Sequence, residues 1–301
     1  MSCSTNYVDL GKPGCPSKMA IAKRLVFVPE YAADGTKNKI SLANAATLSN
    51  WITKFNEANA KDRFYPIVEL DNVTDERADP EVETLDSGRV IETRRGTRNF
   101  VGHAIQQGTI YLSQLKSWEN VKFGVYIIDK DDNIIYKKCD GDTDLYPILV
   151  DEASYFNRLV KPTYSTSEKI ELNFNFRQIE DDADLRVLEA SDLDSGFSPL
   201  EDFYSLLDVS GTASAISTTG FTMTLVDPYG DPVEDLIAGD FSLEEVSPTP
   251  GSVTISGVTE SSAGVYVFSF SAETTGDVLS LTPSKNGYDF SAIPSVTITI
   301  P

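Results

Sequence analysis

Hydrophobic and polar residues alternate with a period of two over much of this chain, the mark of half-buried strands. Residues 169–177, KIELNFNFR, alternate almost without interruption. Residues 21–29 read as a strand, and residues 121–129 as another. A Lys130-Asp131-Asp132-Asn133 hairpin turn follows, with residues 134–137 as its return. Two stretches break the pattern. Residues 41–59 place Leu48, Trp51, Ile52 and Phe55 at helical spacing, and residues 108–118 predict a second helix. The first two thirds of the chain therefore predict an α+β domain on antiparallel sheet.

The last third reads as strands throughout. Residues 221–226, 253–258, 264–270 and 296–300 are short alternating runs, separated by turn sequences such as Asp227-Pro228-Tyr229-Gly230-Asp231-Pro232 and residues 248–251. Six or seven such strands are what a Greek-key sandwich of about 90 residues requires. Turn-rich stretches at 191–199 and 209–214 set the junction near 206–214, giving domains at 1–207 and 208–301. The expected class is mainly β, α+β: an antiparallel β-sandwich or barrel with a few helices, then a second β-sandwich.

Charge sharpens this division. The 301 residues carry a formal charge of −21, yet 24 of the 25 Lys and Arg precede position 206. With 34 of the 46 acidic residues also before that point, the first part nets −10 and the remainder −11. Such a surface repels nucleic-acid phosphates, whose affinity for proteins comes largely from counterions released by Lys and Arg. Sequence-specific nucleic-acid binding is not expected. No run of eighteen apolar residues predicts a membrane span, and the N-terminus shows no basic region followed by an apolar stretch.

Rare residues narrow the chemistry. His103 is the only histidine, so multi-histidine metal sites are excluded and any Ser-His-Asp centre would depend on it. Cys3, Cys15 and Cys139 lack paired or C-x-x-C spacing and read as free thiols from synthesis in a reducing compartment. Asp140-Gly141-Asp142-Thr143-Asp144, with Asp151 at the twelfth place, has alternating oxygen ligands, but Leu145 stands where a calcium loop needs Gly and Pro147 interrupts it. Carboxylate pairs suited to a glycosidase arise by chance among so many acidic residues. Trp51 and Trp118 read as core aromatics. The expectation is a protein without catalytic site, metal or cofactor.

The segment with the most character is residues 70–102, LDNVTDERADPEVETLDSGRVIETRRGTRNFVG, dense in both signs of charge. Residues 81–85 and 89–93 predict a hairpin arm closing at Asp86-Ser87-Gly88. It is too polar to be core on both faces; a solvated loop is the plain alternative. As an arm it offers Glu81, Glu83, Arg89, Glu92, Arg94, Arg95 and Arg98 to a neighbouring copy, whose acidic surface complements the basic Arg94-Arg95-Gly96-Thr97-Arg98.

RLVFVPEYAADGTKNKI, this charged arm, KFGVYIIDKDDNIIY and KIELNFNFRQIEDDADLRVL follow one another in an order that resembles tail-tube and related virion proteins of tailed bacteriophages. The resemblance spans roughly residues 10–190 as a pattern and not as invariant motifs. FTMTLVDPYGDPVEDLIAGDFSLEE resembles bacterial immunoglobulin-like domains, although no cysteine pair is present for an inter-sheet disulfide. The first resemblance implies a non-enzymatic virion protein, made in the host cytoplasm, that stacks as homo-oligomeric rings, commonly hexameric, and contacts other virion proteins. A carboxylate-lined lumen would let DNA slide without sticking. Glu180, Asp181, Asp182 and Asp184 are candidates for that lining, or equally a solvated turn. Two alternatives stand beside this reading. One is a capsid-decoration or head–tail connector protein; the other is a host-surface adhesin whose second domain binds glycans.

Overall fold

The computed structural model of the protein describes residues 18–138, 143–285 and 287–297. The fold is mainly β, of the α+β class, on antiparallel sheets. It opens with β1 (Ala22–Pro29) and β2 (Ile40–Ser41), passes through α1 (Leu42–Ala45) and α2 (Leu48–Phe55), and returns as β3 (Tyr65–Pro66) and β4 (Asp71–Arg77). The arm is β5 (Glu81–Thr84) and β6 (Val90–Arg94), and β7 (Arg98–Ile105) leads back from it. After α3 (Gly108–Lys116) come β8 (Phe123–Asp129), β9 (Ile134–Lys138), β10 (Asp144–Tyr146), β11 (Ile148–Leu149), β12 (Phe156–Val160), β13 (Lys169–Asn175) and β14 (Leu185–Leu188). The helical turn α4 (Pro199–Asp202) follows.

These strands make two facing sheets. The larger runs β2-β10-β9-β8-β1-β3, with β11 also on β8 and β14 on β9; the smaller runs β12-β13-β7-β4. Inward residues of the smaller sheet, among them Phe100, Ile170, Leu172 and Phe174, pack against Leu25, Phe27, Phe123, Val125 and Ile127 of the larger. Alternate residues of the same two central strands, Val26, Val28, Tyr126 and Ile128, lie on the opposite face with Trp51, Phe55 and Phe203. β8 is buried at every position because both of its faces are covered, which is why its sequence lacks polar alternation. The following turn hangs on Asp129. This fully buried carboxylate accepts hydrogen bonds from the N–H groups of Ala20, Asp131 and Asn133 and from the Asn133 amide, at 2.9–3.0 Å.

The helix expected over 41–59 is two short helices. At the break, the Ala46 carbonyl accepts from the Asp194 N–H at 2.9 Å, and the Thr47 hydroxyl donates to the Asp194 carboxylate at 2.7 Å. A segment almost 150 residues away thus interrupts the helix. Trp51 and Phe55 are buried as the spacing implies, whereas Leu48 and Ile52 are only half-buried.

The remaining strands are β15 (Leu207–Asp208), β16 (Ser210–Ser217), β17 (Gly220–Val226), β18 (Phe241–Ser247), β19 (Gly251–Ser252), β20 (Ile255–Ser262), β21 (Val265–Phe270), β22 (Val278–Pro283), β23 (Tyr288–Asp289) and β24 (Val296–Thr297). Two four-stranded sheets, β16-β17-β21-β20 and β19-β18-β22-β24, pack face to face. In immunoglobulin lettering these orders are A-B-E-D and C′-C-F-G. Their core joins Phe221, Leu225, Tyr266 and Phe268 to Leu243, Leu279, Leu281 and Val296. The turn at 227–232 forms as an Asx turn: the Asp227 carboxylate accepts from the N–H groups of Tyr229 and Asp231, and Gly230 takes φ +88°. The strand expected at 253–258 starts two residues later, since Val253 still donates its N–H to Leu243 in the other sheet.

The two parts meet through the parallel pair β15–β23 and an ion pair between Arg63 and Asp289. No buried residue of the second core precedes Val209. Among the described residues, no helix is long and apolar enough to cross a membrane.

Candidate functional site

β4 and β7 are partners at the edge of the smaller sheet, and both continue outward into the arm. The arm closes at Asp86-Ser87-Gly88, where the Leu85 N–H donates to Arg89 O at 2.9 Å and Gly88 takes φ +78°. A three-residue loop with its last residue left-handed is a regular hairpin closure, and glycine supplies that conformation without strain. Every residue of β5 and β6 is exposed. Val82, Leu85, Val90 and Ile91 are therefore open to solvent, Val82 and Val90 by more than half. Val82 pairs with Glu92 and Thr84 with Val90, which places the two valines on one face; Ile91, opposite Glu83, lies on the other.

The base of the arm is fastened by ion pairs where its tip has few. The Arg77 guanidinium donates twice to Asp182, at 2.7 and 2.8 Å, and also to the carbonyls of Gly96 and Glu180. Its hydrogen bonds hold the Asp182 carboxyl below the usual range. Arg95 pairs with Asp181 at 2.7 Å, and that carboxyl is lowered first by the Ala183 N–H and then by Arg95. Arg98 donates twice to Asp75, at 2.7 and 2.5 Å, and its guanidinium lies 4.3 Å from the Phe176 ring centre. At the crossover a Cβ on Gly96 would stand 1.7 Å from the Ala78 carbonyl oxygen, so only glycine lets the two strands approach this closely.

The structure separates the sequence candidates. Glu81, Glu83, Arg89, Glu92 and Arg94 stand exposed on the arm, where the only ion pair among the described residues is Arg94 with Glu81 at 3.8 Å. Arg95 is half committed, to Asp181. Arg98 is corrected: it is 8% exposed and serves the arm's own foundation, because the inward register of β7 turns it toward Asp75 and Phe176. Glu180 is corrected as well. It is 2% exposed and bound to Lys137 at 2.9 Å, and burial pushes its carboxyl up against the opposing effect of Lys137. Asp181 and Asp182 neutralise the basic island from within the same chain. Asp184 is the one of these four that is exposed without a side-chain partner among the described residues.

Other candidates resolve simply. His103 sits in the smaller sheet 3.8 Å from Glu171, and its Nδ1 is buried without a partner. Trp51 is fully buried, while Trp118 packs at 5.0–5.3 Å from Tyr65, Phe27 and Phe123 with part of its ring accessible. Cys3, Cys15, Cys139 and most of the Asp140–Asp144 loop lie outside the described residues. Sequence reading missed an acidic trio, Glu245, Glu273 and Asp277, with carboxylate oxygens within 4.8 Å of one another. Burial, then Glu245 and Asp277, raise the Glu273 carboxyl. No local motif announces this group, since β18 and the approach to β22 meet only across the sheet. Comparison with known proteins finds no family model, no curated protein and no solved structure that matches this chain.

Proposed function

We propose that this chain is a structural virion protein of a tailed bacteriophage that assembles with copies of itself into a tail tube, with the immunoglobulin-like domain displayed outside. The observation that carries the reading is the arm. An isolated two-stranded ribbon is marginal in water, and this one leaves four apolar side chains uncovered while its base is fastened by paired arginines. A neighbouring copy would cover those side chains and meet Glu83, Arg89, Glu92 and Arg94 with its own mixed charges. The net charge of −21 suits a conduit that must not retain DNA.

Negative-stain microscopy of the purified protein tests this. Stacked rings or tubes are expected, and a Val82→Asp, Val90→Asp double variant should remain monomeric with an unchanged tryptophan emission spectrum. A wild-type protein that stays monomeric and binds only preformed shells would replace the tube with a decoration role. Assembly that survives in the double variant would remove the arm from the interface.

A further inference from the structure

A hollow with both apolar and polar walls lies where the two domains meet. It encloses about 260 Å³, just under the ~300 Å³ at which pockets for drug-sized ligands begin. Its walls come from three places: Tyr65 and α3 with Trp118 from the first domain, Ser205 to Asp208 from the linker, and Tyr229 with Asp289 from the second. Neither domain alone makes it.

Part of its polar lining is without a side-chain partner. The Gln114 amide and the Asp208 carboxylate make no side-chain hydrogen bond among the described residues. Arg63, the one cation on the wall among the described residues, is already joined to Asp289. An anionic ligand would thus meet a spent cation and two carboxylates. The complement of aromatic surface with an amide and a carboxylate is a neutral ring bearing several hydroxyl groups: its C–H face covers aromatic carbon while its hydroxyls both donate and accept.

We propose that this interdomain cleft is a saccharide site that holds one pyranose ring of a neutral glycan against Trp118 and Tyr229, hydrogen-bonded by Gln114 and Asp208. The site stands independently of the tail-tube reading, because none of these residues belongs to the arm. The two tryptophans make it measurable. Trp51 is sealed in the core beside Phe203, so a ligand-dependent change in emission reports Trp118.

The experiment is a fluorescence titration of the full chain with glucose, galactose, N-acetylglucosamine and maltose, and in parallel with uridine. A saturable change with at least one sugar is expected, weakened about tenfold in Gln114→Ala and in Tyr229→Ala, as loss of one well-placed polar or stacking contact implies. Both side chains lie at the cleft surface, so the variants should keep the wild-type circular dichroism; if either does not, the wild-type titration and the other variant decide. No response to any of the sugars, an equal response in both variants, or a response to uridine alone would overturn the assignment.

Discussion

Replacing Arg98 with alanine separates a residue that builds the arm from residues the arm presents. Arg98 has 9% of its side chain exposed, and its partner Asp75 has 20%. Truncation leaves the carboxylate facing a wall without its guanidinium and removes the cation from the Phe176 ring. Breaking a fully buried pair costs about 3–5 kcal/mol, and loss of the ring contact about 1 kcal/mol. Because Asp75 keeps one fifth of its surface in water, which can rehydrate it, the total expected is about 2–4 kcal/mol. Arg94→Ala is the control: its side chain is 58% exposed and 3.8 Å from Glu81, so the change should stay within about 0.5 kcal/mol. Urea unfolding followed by tryptophan emission reads this domain alone, since both Trp51 and Trp118 lie in it. Asp75→Ala and the Arg98→Ala, Asp75→Ala double variant complete a cycle, whose coupling should be about 1.5–3 kcal/mol. A loss below about 1 kcal/mol for Arg98→Ala, or an equal loss for Arg94→Ala, would refute the view that Arg98 is foundation.

Other outcomes follow from the same geometry. The stabilising effect of Arg77 on Asp182 and of Arg95 on Asp181 should be fully present above the ordinary aspartate value of 3.8 and be lost as pH falls through the depressed folded-state values. The stability gap between wild type and Asp182→Asn, measured by urea unfolding, should accordingly stay level from about pH 7 to about pH 5 and close in stronger acid; a gap independent of pH to the acid limit would contradict this. Asp129→Ala, which leaves the donors of Ala20, Asp131 and Asn133 without their common acceptor, should cost about 2–4 kcal/mol in the same assay. Gly96→Ala should splay the arm base, seen as faster proteolysis between residues 78 and 97, while an alanine at the open Gly239 should change nothing there.

Much of the architecture is legible in local patterning because strand alternation depends only on which face of a residue meets water. KIELNFNFR becomes β13 with Ile170, Leu172 and Phe174 inward, and Asp86-Ser87-Gly88 closes the arm where the turn chemistry places it. Where distant segments intervene, the pattern misleads. A helix over 41–59 satisfies its own periodicity but loses to Asp194, which takes the Ala46 carbonyl. The basic island reads as a docking surface because its acidic partners, Asp75, Asp181 and Asp182, are separated from it in sequence by as much as 86 positions.

The sequence by itself determined the strand-rich character, the change of composition near residue 206 and the presence of a charged hairpin, since each follows from residue type and spacing. Only the tertiary structure decided which charges are spent. Ion pairing is a matter of distance in space, and it withdrew Arg98 and Glu180 from the surface while leaving Glu83, Arg89, Glu92 and the apolar arm residues without cover. It likewise made a cleft from Trp118, Ser205 and Tyr229, which share no local pattern and meet only because two separate cores are docked through Arg63 and Asp289.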